Sequence, residues 1–401
     1  MICRARPKYL RTEDFTDLYK NQNDHSFEDG KYYFNSGRAS LKFLLIVLKE
    51  LWAKNELIVG LTSFNCVSSM EAILEAQCRA LLIDIKLNDF SLSLNSLKSQ
   101  SVIPDVLVLV HYQGIPNEEY LEIASYCRDK NIFLVDDLSH NHGSKLQGIS
   151  LGTLSNASLH SFAFDKPLTG FSGGALSMNL NEKDLSLSKV IARHIKTFPF
   201  ESQRSTLTDL QKLRLLFEVT AEDNYTRGVD KPHQLWLLNL LGLNILGILK
   251  FYRISSLFRF FFRAIGLIFK FIKSKEIKIE KMRVEKIQLI KMQQERYEYD
   301  ENKAFQVERI LKEIGLDVYS SANAEIHWNR LSVLDPDDKF RNFLKLKNIQ
   351  IEASNYNWPE TLEQIFRNHN DVIVEHEMPN SEYAAKNIVN IPIWSENTWI
   401  L

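Results

Sequence analysis

The 401-residue sequence predicts an α/β fold, a mostly parallel sheet flanked by helices, followed by a smaller C-terminal α+β unit. Two observations carry this expectation. From about residue 31, short apolar runs alternate with longer amphipathic ones, the pattern of a parallel sheet covered on both faces. After residue 282 the alternation gives way to separate helices and short strands. The chain therefore divides into a large domain with an N-terminal arm (1–200), an insertion (201–281) and a small domain (282–401).

Each element follows from a local pattern. Apolar residues at helical spacing predict a helix from Ser40 to Trp52, and Leu57-Ile-Val-Gly-Leu61 is a short strand. A helix over Val67–Ala76 and strands over Ala80–Ile85 and Val106–Val110 come next. Asn117–Lys130 is a helix and Ile132–Asp136 a strand. Ligand-facing groups in such sheets gather at the carboxyl ends of the strands, where His111, Tyr112, Asp136 and Asp137 stand. Lys281–Ile314 reads as one long helical stretch. Strands over Ile326–Val333, Ile349–Glu352 and Ile388–Pro392 and a helix over Asp337–Lys347 complete the small domain. Core packing accounts for Trp328, Tyr356 and Trp358 as readily as a substrate contact does.

A hydrophobic content of 45% with 25% charged residues is ordinary for a folded chain, and a net charge of −1 gives no argument for a nucleic-acid partner. Cys3, Cys66, Cys78 and Cys127 form no CxxC pair and no cluster with histidine, so neither a disulfide framework nor a metal site is expected, and a reducing cytoplasm suits them. Met1–Lys8 carries charge with no apolar run behind it, so no signal peptide is expected.

Two segments carry chemistry: Val135-Asp-Asp-Leu-Ser-His140, and Ser161-Phe-Ala-Phe-Asp-Lys166 with Gly173-Gly174 behind it. A strand-end carboxylate can keep a pyridinium nitrogen protonated. A hydroxyl ahead of a lysine can hold a phosphate, and the amine can form a Schiff base with an aldehyde. That is the order of groups pyridoxal 5'-phosphate requires. Taken alone, Lys166 is a solvated surface charge as readily as a nucleophile; desolvation by its apolar setting would favour the neutral amine. Asp136 and Asp137 could be a metal pair, but adjacent strand residues point to opposite faces, so one facing the ligand fits better. His140 and His142 lack a zinc pattern and read as an ordinary polar loop. At Ser36-Gly-Arg-Ala-Ser40, helix-start N–H groups with Gly37 and Arg38 make an anion site, or Ser36 is a simple N-cap.

Taken together, these motifs resemble the DegT/DnrJ/EryC1/StrS family of pyridoxal-phosphate-dependent sugar aminotransferases. Ser36-Gly-Arg-Ala39, Thr62-Ser-Phe-Asn-Cys66, His111-Tyr-Gln-Gly114, Asp136-Asp-Leu-Ser-His140, Ser161-Phe-x-x-x-Lys166 and Gly173-Gly174 stand in the family's order over about residues 30–180. The likeness resumes from about 282 to 395, where Asn390-Ile-Pro392 is similar to the family's N-L-P. The resemblance implies a fold-type-I transferase and a homodimer whose sites are completed by the partner subunit. It implies Lys166 as the Schiff-base lysine and proton shuttle, Asp137 on the pyridinium nitrogen and His140 beside the ring. Ser161 with the Gly37–Ala39 backbone would hold the phosphate. Three departures stand out. Cys66 takes the place of the usual stacking aromatic, with Phe64 nearby; Ser172 replaces the usual Glu; and Asn224-Tyr-Thr-Arg227 only loosely matches the partner-subunit loop, with Asn224 and Arg227 as its candidate residues. Some relatives carry histidine for the lysine and dehydrate, so Lys166 favours transamination. The implied activity is amino transfer from glutamate to a keto-sugar of a nucleotide-sugar in surface polysaccharide or O-antigen synthesis. The alternatives are another cyclic ketone, such as a cyclitol or antibiotic precursor, and an idle cofactor fold serving as a membrane-surface interaction module.

The insertion has its own signal. Between Asp230 and Glu276 there are eight Lys and Arg residues and no acidic one, leaving −9 for the rest of a chain whose net charge is −1. Leu235–Leu249 is an uncharged run of 15 residues, short of the roughly 20 a membrane span needs. On a helical wheel Arg259, Arg263, Lys270 and Lys273 fall within an arc of about 100°, beside a wide face of Phe, Leu and Ile. An in-plane helix at the inner face of the cell membrane needs that distribution; packing against the body or a partner subunit, with the basic stripe in solvent, would also use it. The membrane reading predicts that the protein co-sediments with anionic vesicles and that deleting 233–273, or changing Arg259, Arg263 and Lys270 to Glu, releases it. A wild-type protein that never co-sediments leaves the interface reading in its place.

Overall fold

The computed structural model describes residues 2–3, 27–28, 30–179, 185–221, 276–299, 301–347, 350–351 and 360–393. The strands are β1 (Ile2–Cys3), β2 (Phe27–Glu28), β3 (Lys31–Phe34), β4 (Ile58–Thr62), β5 (Arg79–Ile83), β6 (Val106–Val110), β7 (Phe133–Asp137), β8 (Lys145–Leu146), β9 (Ile149–Ser150), β10 (Ala157–Ser161), β11 (Gly174–Met178), β12 (Ala324–Glu325), β13 (Arg330–Leu334), β14 (Gln350–Ile351), β15 (Val372–Ile373) and β16 (Ile388–Pro392). Nine of them form one sheet in the order β15-β5-β4-β6-β7-β10-β11-β3-β2. The pairings from β15 through β10 are parallel, and β11, β3 and β2 close the sheet antiparallel.

Helices α1 (Gly37–Leu51) and α2 (Val67–Glu75) cover one face of this sheet, and α3 (Leu94–Lys98) and α4 (Tyr120–Asp129) the other. Strand alternation sorts the side chains. Val106, Val108 and Val135 point into the core under α1, while Leu107, Leu109 and Leu134 point into the core under α4. Every residue of β6 is buried, as a central parallel strand requires. The helix begins three residues before Ser40 because Ser36 caps it, its hydroxyl accepting from the Ala39 N–H at 3.2 Å.

Beyond α5 (Leu185–Thr197) and α6 (Gln203–Ala221), the stretch expected to be one helix over Lys281–Ile314 is two, α7 (Val284–Glu295) and α8 (Glu301–Glu313). The N–H groups of Arg296 and Tyr297 close three-residue turns onto Gln293 and Gln294, ending α7. The chain then brings Tyr297 beside His142 and stacks Tyr299 on His327 at 4.5 Å. The expected strand over Ile326–Val333 begins only at Arg330, because His327 and Asn329 bond to large-domain loops. A second core gathers α8, β13, α9 (Lys339–Leu346), α11 (Pro379–Asn387) and β16 around Phe64, Phe90 and Tyr112 of the large domain; Trp328 is buried in it. The remaining helix, α10 (Leu362–Phe366), and β15 return to the large sheet. Residues 233–273, Tyr356 and Trp358 lie outside the described residues. Among the described residues no helix is long and apolar enough to cross a membrane.

Lys286 on α7 is a fully buried charge. Its ammonium donates to Glu201 at 2.8 Å, to Asp209 of α6 at 2.6 Å and to the Ser172 hydroxyl at 2.8 Å. Removing one member of a buried ion network leaves charge that no solvent screens. Lys286→Met should therefore cost about 3–5 kcal/mol in urea unfolding, and adding Glu201→Gln and Asp209→Asn should recover much of that loss. A neutral Lys286→Met would show that water reaches the network.

Candidate active site

A cavity of about 390 Å³ lies beyond the carboxyl ends of β6, β7 and β10, on the face covered by α1 and α2. This is where ligands collect in parallel sheets. Ser36, Gly37 and Arg38 reach it from the start of α1, and Asn65 and Cys66 from the start of α2. Asp137, Ser139 and His140 reach it from the end of β7, and Ser161, Asp165 and Lys166 from the end of β10. Asn329 and Arg330 enter from the small domain.

The sequence allows close packing on the α1 side. A Cβ on Gly174 would stand 2.3 Å from the Gly37 nitrogen, so the start of α1 approaches β11 backbone to backbone. Gly37 in turn sits against β10, where an added Cβ would meet the His160 carbonyl at 3.3 Å and Ser161 Cβ at 3.4 Å. The first N–H groups of a helix have no carbonyl a turn behind them. At Ala39 that donor is taken by Ser36, and Ala39 is fully buried away from the cavity wall. Gly37 and Arg38 remain at the wall, although the Arg38 guanidinium is paired with Glu71 at 2.9 Å. Among the described residues the Ser161 hydroxyl has no hydrogen-bond partner.

The two adjacent acids separate as strand geometry requires. Asp136 is fully buried on the α4 side, accepting from the Tyr120 hydroxyl and from the Gly152 N–H at 2.9 Å, with His111 Nε2 at 3.6 Å. Asp137 faces the cavity; one oxygen accepts the Ser139 N–H at 2.9 Å, and the other has no partner among the described residues. Among the described residues no group of three or more His, Cys, Asp or Glu could hold a metal ion.

Lys166 is 8% exposed, with its amine 3.4 Å from Asp165. Burial alone would raise the Asp165 carboxyl, but the positive charges of Lys166 and Arg330 outweigh it and hold that carboxyl below its ordinary value. His140 is held well below the usual histidine value, first by burial and then by Lys166 and Arg330, so the ring is neutral. Its Nδ1 accepts from the Gln113 N–H at 3.4 Å, and its edge meets Tyr112.

The structure thus brings Ser36, Gly37, Arg38, Cys66, Asp137, His140, Ser161 and Lys166 to one cavity and leaves Ala39 outside it. Asn224 and Arg227 lie outside the described residues. Phe64 packs in the second core, 5.1 Å from Tyr112, and Cys66 occupies the wall at the start of α2. Asn65, Gln113, Asn329 and Arg330 were not singled out by the sequence. The available signal was the polar pair Asn329-Arg330 interrupting an apolar strand.

The donor set suits a phosphorylated pyridine aldehyde. It offers an amine with little water around it, a carboxylate with a free oxygen, and a glycine-lined helix start beside a free hydroxyl.

Residues 32–196 match the model of the DegT/DnrJ/EryC1/StrS aminotransferase family, whose members use pyridoxal phosphate. The chain is 33% identical over 143 residues to a Campylobacter jejuni UDP-4-amino-4,6-dideoxy-N-acetyl-beta-L-altrosamine transaminase, covering 35% of this chain and 37% of the relative. It is 28% identical over 144 residues to a Saccharopolyspora spinosa dTDP-4-dehydro-2,3,6-trideoxy-D-glucose 4-aminotransferase, covering 35% and 36%. The chain thus spans little more than a third of the length of these two curated relatives. Among solved structures, the E. coli GDP-4-keto-6-deoxy-D-mannose-3-dehydratase with bound hydrated pyridoxal phosphate has a TM-score of 0.59 at 14% identity, covering 90% of this chain and 83% of that one. That likeness is one of fold, that of the fold-type-I transferases. The similarity to the DegT/DnrJ/EryC1/StrS aminotransferase family thus extends over residues 32–196.

Proposed function

We propose that the protein is a pyridoxal 5'-phosphate-dependent aminotransferase that moves an amino group from glutamate to the keto group of a nucleotide-linked sugar, in surface polysaccharide or O-antigen synthesis. The observation that carries this reading is Lys166, a nearly buried primary amine in the same cavity as the strand-end carboxylate Asp137. A dehydratase shares the fold, so the fold does not decide between amine transfer and dehydration. The lysine favours transfer, because an amine can both exchange with a donor and carry a proton.

When bound, pyridoxal phosphate supplies an aldehyde that condenses with amines and a ring that draws electrons from the adjoining carbon. The chain's residues would do the rest. Asp137, with one oxygen uncommitted, would hold a proton on the ring nitrogen. The Ser161 hydroxyl and the helix start at Ser36–Arg38 would bind the phosphate. Lys166 Nζ would take the proton from the donor's α-carbon and return it on the opposite side of the exchange. Neutral His140 beside this amine avoids a second fixed positive charge there. The proposal extends to a homodimer acting at the cytoplasmic face of the inner membrane, with 233–273 as the contact. The basic, phenylalanine-rich composition of that segment supports the location.

Purified protein supplied with pyridoxal phosphate should show a visible absorption band that borohydride abolishes, and Lys166→Ala should lack it. With labelled glutamate and a panel of nucleotide-linked keto-sugars, wild type should transfer label and Lys166→Ala should fall by at least about 10³-fold, the loss of nucleophile and proton carrier together. A colourless wild type that takes up no added cofactor would sink the reading.

A further inference from the structure

One buried acceptor on the cavity wall is left over. Asn329 precedes β13, is 1% exposed and lines the cavity, and its Oδ1 has no hydrogen-bond partner among the described residues. A buried carbonyl oxygen without a donor is costly, and in a ligand cavity the ligand is the group that can supply one.

The orientation of the Asn329 amide is set by a chain of hydrogen bonds that ends at this oxygen. Asn390 Oδ1 accepts from the Ser332 hydroxyl at 2.6 Å and from the Tyr112 hydroxyl at 3.2 Å. With its one proton spent there, the Tyr112 oxygen accepts from the Gln113 side-chain amide. That turns Gln113 Oε1 toward Asn329, whose Nδ2 donates to it at 2.6 Å. The Asn329 N–H also donates to the Gln113 carbonyl at 2.8 Å. Gln113 is 3% exposed and holds a left-handed φ of 53°, a conformation that persists only where its surroundings enforce it. Its own N–H donates to His140 Nδ1 at 3.4 Å. One residue therefore anchors both His140 and the Asn329 amide, and Asn329 Oδ1 is the atom that remains.

We infer that Asn329 Oδ1 accepts a hydrogen bond from a hydroxyl or amide N–H carried by the ring of the keto-sugar, an inference that rests on the transamination reading above. The oxygen needs a donor, and few groups that enter this cavity have one to give. Of the cofactor's groups, the phosphate accepts, the ring N–H goes to Asp137, and the phenol proton bonds internally to the neighbouring C4′ substituent. The donor amino acid brings a carboxylate, which accepts, and an ammonium, which is consumed in bonding to the cofactor carbon. The ketone oxygen also accepts. A nucleobase N–H lies beyond a diphosphate, many bonds from the reacting carbon. The hydroxyl and amide groups of the sugar ring remain, and they stand within a few bonds of the keto carbon that must reach Lys166. The substrate class is thus a keto-sugar that keeps an O–H or N–H near its keto carbon, not one deoxygenated there.

The test uses the full chain loaded with pyridoxal phosphate, labelled glutamate, and matched pairs of 4-keto-6-deoxyhexoses on dTDP, UDP and GDP. One member of each pair carries hydroxyl or acetamido groups at C2 and C3, and the other carries hydrogen. Wild type should prefer the substituted member at least about 100-fold in kcat/KM, as a site built around a donor rejects the analogue without it. Asn329→Ala should lower kcat/KM at least about 30-fold for the substituted member and less than about threefold for the deoxy member. Asn329→Asp, which keeps an acceptor oxygen and loses the amide donated to Gln113, should keep the preference, and it decides the matter if Asn329→Ala does not fold. A merely structural Asn329 predicts the opposite pattern: both variants lower both sugars alike. Glutamate alone, followed by the change in the cofactor band, should be slowed far less by Asn329→Ala than the substituted sugar is. Equal slowing would assign Oδ1 to the amino group and overturn the inference. So would a wild type indifferent to the ring substituents, or one that transfers label to no member of any pair. In each of these cases a Lys166-dependent cofactor band that glutamate converts would still stand for transamination, so the two failures are distinguishable.

Discussion

The site depends on the backbone contact between Gly174 and the start of α1. Gly174 pairs with Phe34 on one side and Ser161 on the other, and a side chain there would collide with the Gly37 nitrogen. One glycine therefore sets the distance from β11 to the helix start and brings Ser36, Gly37 and Ser161 to a common wall. Strand alternation then supplies the rest: Asp137 falls on the α1 side of the sheet with Val135, and Asp136 on the other with Tyr120.

A second constraint runs through Lys286. Its contacts join α7, α6 and Ser172, so the two helices that flank the chain between 222 and 275 are tied to the loop that follows Lys166. Gln293, about two turns further along the same face of α7, both accepts from the Thr169 N–H at 3.1 Å and donates to the Thr169 carbonyl at 2.8 Å. The loop from Lys166 to Gly174 is thus held by buried polar groups. Such groups impose one geometry because leaving any of them unpaired is expensive.

The large domain was legible in the sequence because its strands are continuous apolar runs and its functional groups sit at their ends. Asp137 could be placed at a strand end from the apolar runs, whereas the roles of Lys166 and His140 came from the family resemblance. Ser36 illustrates a reading that local pattern leaves double: in the structure it is a helix cap, and it also lines the cavity. What escaped the sequence depends on contacts distant along the chain. The break between α7 and α8 reflects Tyr299 stacking on His327, and Phe64 turns into the second core because Tyr112 and β13 are there to receive it. Arg330 escaped for the same reason: the contacts of Asn329 with Gln113 and of His327 with Ser144 carry the next residue to the cavity wall.

The central claim is that Lys166 is the residue that engages the cofactor. The most direct measurement is borohydride reduction of the cofactor-loaded protein followed by peptide mapping by mass spectrometry. The account predicts one pyridoxyl-phosphate adduct, on the peptide containing Lys166 and on that side chain. An adduct on another lysine, or none on a protein that has taken up the cofactor, would contradict it.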